Sequence, residues 1–118
     1  MCMNHSHQVI AELSTPTREL RRAIPDVWAG FGQMHKATFA PGALSTKVKE
    51  LMALAIATAD ECDGCIAYHA KAAAVAGASL EEAAEAIGVA MLMSGGPGTV
   101  YGPRAFDAFQ DFVEPSEG

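Results

Sequence analysis

The segment Glu61-Cys62-Asp63-Gly64-Cys65-Ile66-Ala67-Tyr68-His69 holds a Cys-x-x-Cys pair and, four residues beyond its second cysteine, a histidine. If a helix begins at the pair, three consequences follow. The positive end of the helix dipole stabilises a thiolate there. The two sulfurs lie about one turn apart, close enough to be joined as a disulfide. Cys65 and His69, at i and i+4, are neighbours on one helix face, so the imidazole can share or take the thiol proton. That is the equipment of dithiol redox chemistry. Two other readings use the same residues. The cysteines could be two small buried side chains. Cys62, Cys65 and His69 could also ligate zinc, but a structural zinc site wants four ligands, and His5, His7 and His35 stand at no motif spacing to the pair. Redox chemistry is favoured over both.

Glu50 is the candidate fourth member. A glutamate just before the apolar run Leu51 to Ala57 is usually a solvated helix residue. Geometry gives it another role if the helices on either side of Cys62 form a hairpin. At 1.5 Å per residue, Glu50 lies about 18 Å from the bend and His69 about 10 Å down the return helix, a difference that the two side chains largely span. The order down the hairpin is then Cys62, Cys65, His69, Glu50, the layout of a proton relay feeding a thiolate.

The elements that must position these groups all read as helices, since apolar residues recur at helical spacing and no alternating strand stands out. Residues 1 to 14 read as a weakly ordered arm, and a short helix is expected to start near Pro16 with Thr15 as its cap. Pro25 opens a helix over about Asp26 to Phe39, with Val27, Phe31, Met34 and Thr38 as its buried stripe. Ala40-Pro41-Gly42-Ala43 is a turn. Ser45 caps a helix over about Thr46 to Asp60 that is lined on one face by Leu51, Leu54, Ala55 and Thr58. The next helix, about Asp63 to Ala76, stops at Gly77. Ser79-Leu80-Glu81-Glu82 is a capping box, and Leu80, Ala83, Ala84, Ile87 and Met91 form the apolar face of the helix it starts. That helix ends near Gly95-Gly96-Pro97, and a last one covers about Thr99 to Phe112.

Length and composition set the outer bounds. One domain over residues 1–118 is expected, and with half of the residues hydrophobic a core is available. Much of the apolar content is alanine, so helices must approach closely and partner subunits are expected to complete the burial. A formal net charge of -6 argues against nucleic acid or an anionic membrane as partner. No signal-peptide pattern is visible at the start, and Leu51 to Ala59 is far too short to span a bilayer, so a cytoplasmic location is expected. Three cysteines in a reducing compartment do not suggest a structural disulfide framework; Cys2 stands apart from the pair.

Taken together, Lys47-Val48-Lys49-Glu50-Leu51-Met52-Ala53-Leu54-Ala55-Ile56-Ala57, Cys62-Asp63-Gly64-Cys65-Ile66-Ala67-Tyr68-His69-Ala70-Lys71, Ala76-Gly77-Ala78, Glu81-Glu82 and Met93-Ser94-Gly95-Gly96-Pro97 resemble the AhpD-like alkylhydroperoxidases of the carboxymuconolactone decarboxylase superfamily. The resemblance runs from about Pro25 to Phe112. It implies an all-α bundle of about five to six helices, with a central helical hairpin carrying the Cys-x-x-Cys motif. It implies a homo-oligomer, hexameric or alternatively trimeric. It also implies a disulfide-cycling peroxidase that needs no cofactor, takes a peroxide as substrate and is reduced by a lipoyl or thioredoxin-like dithiol partner. By the same resemblance Cys65 matches the peroxide-attacking cysteine, Cys62 the resolving one, and His69 and Glu50 the proton relay. Gly64 is a departure, because the best-studied members carry a histidine just before the second cysteine. A redox-sensing or structural oligomer without useful turnover is the alternative function. Lactone decarboxylation ranks third, since the decarboxylases of the superfamily generally lack the pair.

Other side chains have bland readings. His35 is expected to be partly buried and hydrogen-bonded rather than a ligand. Tyr68 and Tyr101, like Trp28 and Phe31, read as core or interface packing.

Overall fold

A computed structural model describes residues 4–113, and Cys2 lies outside them. Among the described residues there are six helices and no strand: α1 (His5–Ala23), α2 (Pro25–Phe39), α3 (Thr46–Ala59), α4 (Asp63–Val75), α5 (Leu80–Ser94) and α6 (Gly98–Val113). The all-helical class expected from the sequence is what forms. No helix among the described residues is long and apolar enough to cross a membrane.

The helix boundaries have local causes. The Ser45 side chain accepts the Val48 N–H at the start of α3. Ser79 and Glu82 close a reciprocal capping box on α5. The α3 and α4 C-termini end in the same motif. In each, a residue with positive φ follows the cap, Glu61 (57°) after Asp60 and Gly77 (95°) after Ala76. Its N–H and that of the next residue then reach back to the last-turn carbonyls: Glu61 to Thr58, Cys62 to Ala57, Gly77 to Ala74 and Ala78 to Ala73. Cys62 is therefore the last residue of one helix stop and the cap of the next helix.

The core is a seam of small and aliphatic side chains from α3 to α6. It gathers Leu54 of α3, Ile66, Ala70 and Ala73 of α4, Ala83 and Ile87 of α5, and Ala105 and Phe109 of α6 into one buried cluster. Phe109 and Leu54 are the largest apolar side chains wholly removed from solvent. Alanine lets the helices close in, and glycine lets α5 and α6 come closer still. A Cβ at Gly98 would lie 2.8 Å from the Met91 Cα, a distance no native contact tolerates.

Two parts of the chain differ from the sequence reading. The expected arm over residues 1 to 14 is instead helical from His5, and Pro16 sits inside α1 rather than at its start. Packing on α4 and α6 holds the helix there, through contacts that local sequence patterns do not reveal. The stripe Val27, Phe31, Met34 and Thr38 on α2 is not buried either; the first three are 65%, 59% and 59% exposed, and no residue of α2 is buried. The pattern is amphipathic, but within this chain its apolar face has nothing to cover it. The radius of gyration is 14.7 Å, against about 13.5 Å for a compact domain of this length.

Candidate active site

The α3–α4 turn carries the cysteine pair to the start of α4, as the spacing suggested. Cys62 caps that helix, its Sγ accepting the Cys65 N–H at 3.2 Å, and Cys62 and Cys65 are joined by a disulfide with their Cα atoms 5.2 Å apart. Cys62 is half-buried and Cys65 exposed. The second cysteine is thus the one an incoming molecule meets.

One turn below Cys65, on the same face of α4, stands His69. Its Nδ1 lies 2.8 Å from Oε1 of Glu50, which reaches across from α3. Glu50 is 5% exposed, so its bland reading as a solvated helix residue does not hold. A carboxylate oxygen can only accept, so Nδ1 donates, and the neutral ring then presents Nε2 as its base. The hairpin arithmetic brought Glu50 and His69 together correctly.

The roof of the site comes from α2. The Phe39 ring lies 5.7 Å and the His35 ring 6.3 Å from the His69 ring, both stacked on it, and His35 also packs on Phe39 at 4.7 Å. His35 is exposed rather than partly buried and hydrogen-bonded. With no buried residue, α2 is held by polar ties at its C-terminal end. Lys49 Nζ donates to the Thr38 and Ala40 carbonyls at 2.9 and 2.8 Å, and Thr46 Oγ1 donates to that of Phe39 at 2.7 Å. Lysine here also meets the negative end of the helix dipole. Beside this roof an open cavity of about 420 Å³ is lined by Phe39, Leu44, Met52 and Ile56, among others.

The opposite flank of the motif is covered by α1, which sequence reasoning missed. A Cβ at Gly64 would meet Leu13 Cδ1 at 3.3 Å and Val9 Cγ1 at 4.0 Å. His5 Nε2 lies 3.2 Å from Asp63 Oδ2, and Arg104 Nη1 of α6 is 3.6 Å from the same oxygen. Gly64 is small because a helix packs on it, so a histidine at this position would displace Leu13. His5 is 58 residues from Asp63 in sequence, and no spacing rule could have paired them. Of the tyrosines, Tyr101 is half-buried against the core, whereas Tyr68 is 42% exposed; Trp28 is half-buried.

Comparison with known proteins gives the chain relatives and a family. Two curated relatives are an uncharacterized protein of Cupriavidus necator, 33% identical over 100 residues (85% of this chain and 88% of that one), and uncharacterized protein 4 in the cox locus of Paracoccus denitrificans, 35% identical over 101 residues (81% and 91%). Among solved structures, a carboxymuconolactone decarboxylase family protein from Legionella pneumophila superposes with a TM-score of 0.91 at 33% identity, covering 95% of this chain and 100% of that one. A second family member, from Thermotoga maritima and described with a suggested part in an antioxidative response, gives 0.75 at 29% identity over 88% of each chain. The model of the carboxymuconolactone decarboxylase family matches residues 25–110, from the start of α2 almost to the end of α6, and the chain belongs to that family.

Proposed function

We propose that the protein is a thiol-dependent peroxidase that cycles between a dithiol and the Cys62–Cys65 disulfide. The observation that carries this reading is the exposed Cys65 of a disulfide at a helix start, one turn above a histidine paired with a buried carboxylate. In the reduced protein the Cys65 thiolate attacks one peroxide oxygen. An S–O bond forms and the O–O bond breaks, leaving a sulfenic acid on Cys65 and releasing water or an alcohol. His69 takes the thiol proton and returns it to the departing oxygen, while Glu50 holds the ring by Nδ1 and stabilises its charged form. The Cys62 thiol then attacks the sulfenic sulfur, forming the S–S bond and releasing water. A dithiol reductant of lipoyl or thioredoxin type restores both thiols and is itself oxidised to a disulfide.

Support comes also from the Thermotoga maritima neighbour, for which a part in an antioxidative response has been suggested. The apolar side chains left exposed on α2 (Val27, Phe31, Met34) and α5 (Val89, Leu92, Met93) favour a homo-oligomer, a hexamer or a trimer, as the working form. Decarboxylation is consistent with the family name, but it uses no disulfide. Steady-state consumption of hydrogen peroxide or an organic hydroperoxide, with dihydrolipoamide as reductant, tests the proposal. Turnover that disappears in the double variant Cys62→Ser/Cys65→Ser is expected. Peroxide consumption no faster than the reductant alone gives would leave the redox-sensing reading in its place.

A further inference from the structure

The motif has a second face, turned away from His69. There an open cavity of about 600 Å³ lies between the start of α1, the first turns of α4 and the outer face of α6. Its charged lining is His5 from α1, Asp63 from α4, and Arg104, Asp107 and Asp111 from α6; α2, α3 and α5 contribute nothing to it. These groups are organised. Ser6, 3% exposed, donates to Asp111 Oδ2 at 2.8 Å and pins the start of α1 to α6. That contact sets His5 beside Asp63, at 3.2 Å. Arg104 approaches the same Asp63 oxygen at 3.6 Å while its guanidinium lies over the Tyr101 ring, 5.3 Å from the centroid. Two cationic or proton-bearing groups from two different helices thus converge on one carboxylate, and in the sequence that carboxylate's residue follows Cys62 directly and precedes Cys65 by two.

The placement has an electrostatic consequence. The first turn of a helix favours one negative charge, and here two groups compete for it: the Asp63 carboxylate and a cysteine thiolate formed on reduction. A bare carboxylate beside a thiol disfavours the thiolate, whereas a neutralised one does not. Of the other charged groups, Asp111 accepts from Ser6, and Asp107, one turn from Arg104 on α6, lines the same cavity. Glu50 is paired with His69 on the other face, and Glu61 is exposed in the turn before Cys62.

We propose that Asp63, clamped by Arg104 and His5, sets the thiolate content of the reduced pair and with it the dithiol–disulfide equilibrium, which makes Arg104 and His5 positioning residues of the redox centre. The proposal rests on the reading that the pair cycles, but not on peroxide being its substrate.

The test uses the full-length protein, with Cys65 alkylation followed against pH by peptide mass spectrometry and the dithiol–disulfide ratio measured in glutathione buffers. A unit charge about one helical pitch away in water-like surroundings is worth about a threefold change in thiolate fraction. Arg104→Gln leaves the Asp63 charge less compensated. It is expected to lower the thiolate fraction at neutral pH about threefold and to move the equilibrium toward the disulfide. Asp63→Asn is expected to do the reverse, and the double variant to return close to the wild type. Opposite signs with mutual cancellation are what charge compensation requires, since loosened packing would move both variants the same way. Equal thiolate fractions in all four proteins, or shifts of the same sign in the two single variants, overturn the proposal. Should Arg104→Gln fail to fold, Asp63→Asn alone decides, because it must raise the thiolate fraction. A protein without peroxide turnover that still shows the opposed shifts would refute the peroxidase reading and leave this one standing.

Discussion

Replacing Glu50 with glutamine isolates what the buried carboxylate contributes. Glu50 is 5% exposed and its Oε1 accepts from His69 Nδ1 at 2.8 Å. Glutamine has the same length and keeps a carbonyl oxygen to accept that hydrogen bond, so the ring stays oriented and only the charge is lost. Hydrogen bonds to charged groups contribute about 1.5–3 kcal/mol against about 1 for neutral ones, so the charged imidazole loses roughly 1–1.5 kcal/mol of stabilisation. If that stabilisation is used while His69 holds the thiol proton, the rate constant for peroxide attack falls about tenfold. Glu50→Gln is therefore expected to slow the first, stopped-flow phase of the reduced protein by about tenfold while its thermal stability stays close to the wild type. Glu50→Asp should not restore the rate, because one methylene fewer withdraws the carboxylate from Nδ1. A Glu50→Gln protein that is folded and reacts with peroxide at the wild-type rate would refute the relay.

Three further outcomes follow from other parts of the molecule. Gly64→Ala asks Leu13 to yield by only a few tenths of an ångström and should be tolerated, whereas Gly64→His should lift α1 from the motif; faster amide hydrogen exchange across α1 in the histidine variant alone is the readout. Gly98→Ala drives a Cβ to 2.8 Å from backbone at Met91, and Gly102→Ala meets the flexible Met91 side chain instead. Chemical denaturation should show a loss of about 1–3 kcal/mol for the first and less for the second. The Glu82 carboxyl is held below its ordinary value of 4.5 by the Ser79 N–H and by Lys47, so it contributes stability that is complete above that pH and is lost as pH falls through the lowered value. Melting temperatures of Glu82→Gln should accordingly lie below the wild type at neutral pH and converge with it in acid.

Where the fold could be read from the sequence, the signal was local. Ser45 and the Ser79–Glu82 box start helices through side chains within three residues of the backbone they satisfy, and any chain with those residues offers the same bonds. The candidate site was legible for a related reason. Cys65 and His69 are fixed by helical pitch, and Glu50 follows once α3 and α4 are taken as a hairpin. What escaped depends on groups far apart in the chain. The start of α1 is polar up to Gln8, offers only Val9, Ile10 and Leu13 as an apolar face, and is held by Ser6 on Asp111, His5 on Asp63, and Val9 and Leu13 at Gly64. Pro16, a favourable first-turn residue, sits within a longer helix because those contacts outweigh the missing N–H. On α2 the spacing of Val27, Phe31 and Met34 suggests a buried stripe, yet all three are exposed, because periodicity marks an apolar face without showing that anything in the chain covers it.

That Cys65 attacks and Cys62 resolves can be tested in a single experiment. Reduced Cys62→Ser and Cys65→Ser proteins are mixed with a single equivalent of peroxide and a dimedone-type trap, and the adduct is located by peptide mass spectrometry. Cys62→Ser is expected to react once and carry the adduct on Cys65, where no resolving thiol removes it, and Cys65→Ser to form none on Cys62. An adduct on Cys62 in the Cys65→Ser protein, with Cys62→Ser inert, would contradict it and reverse the two roles.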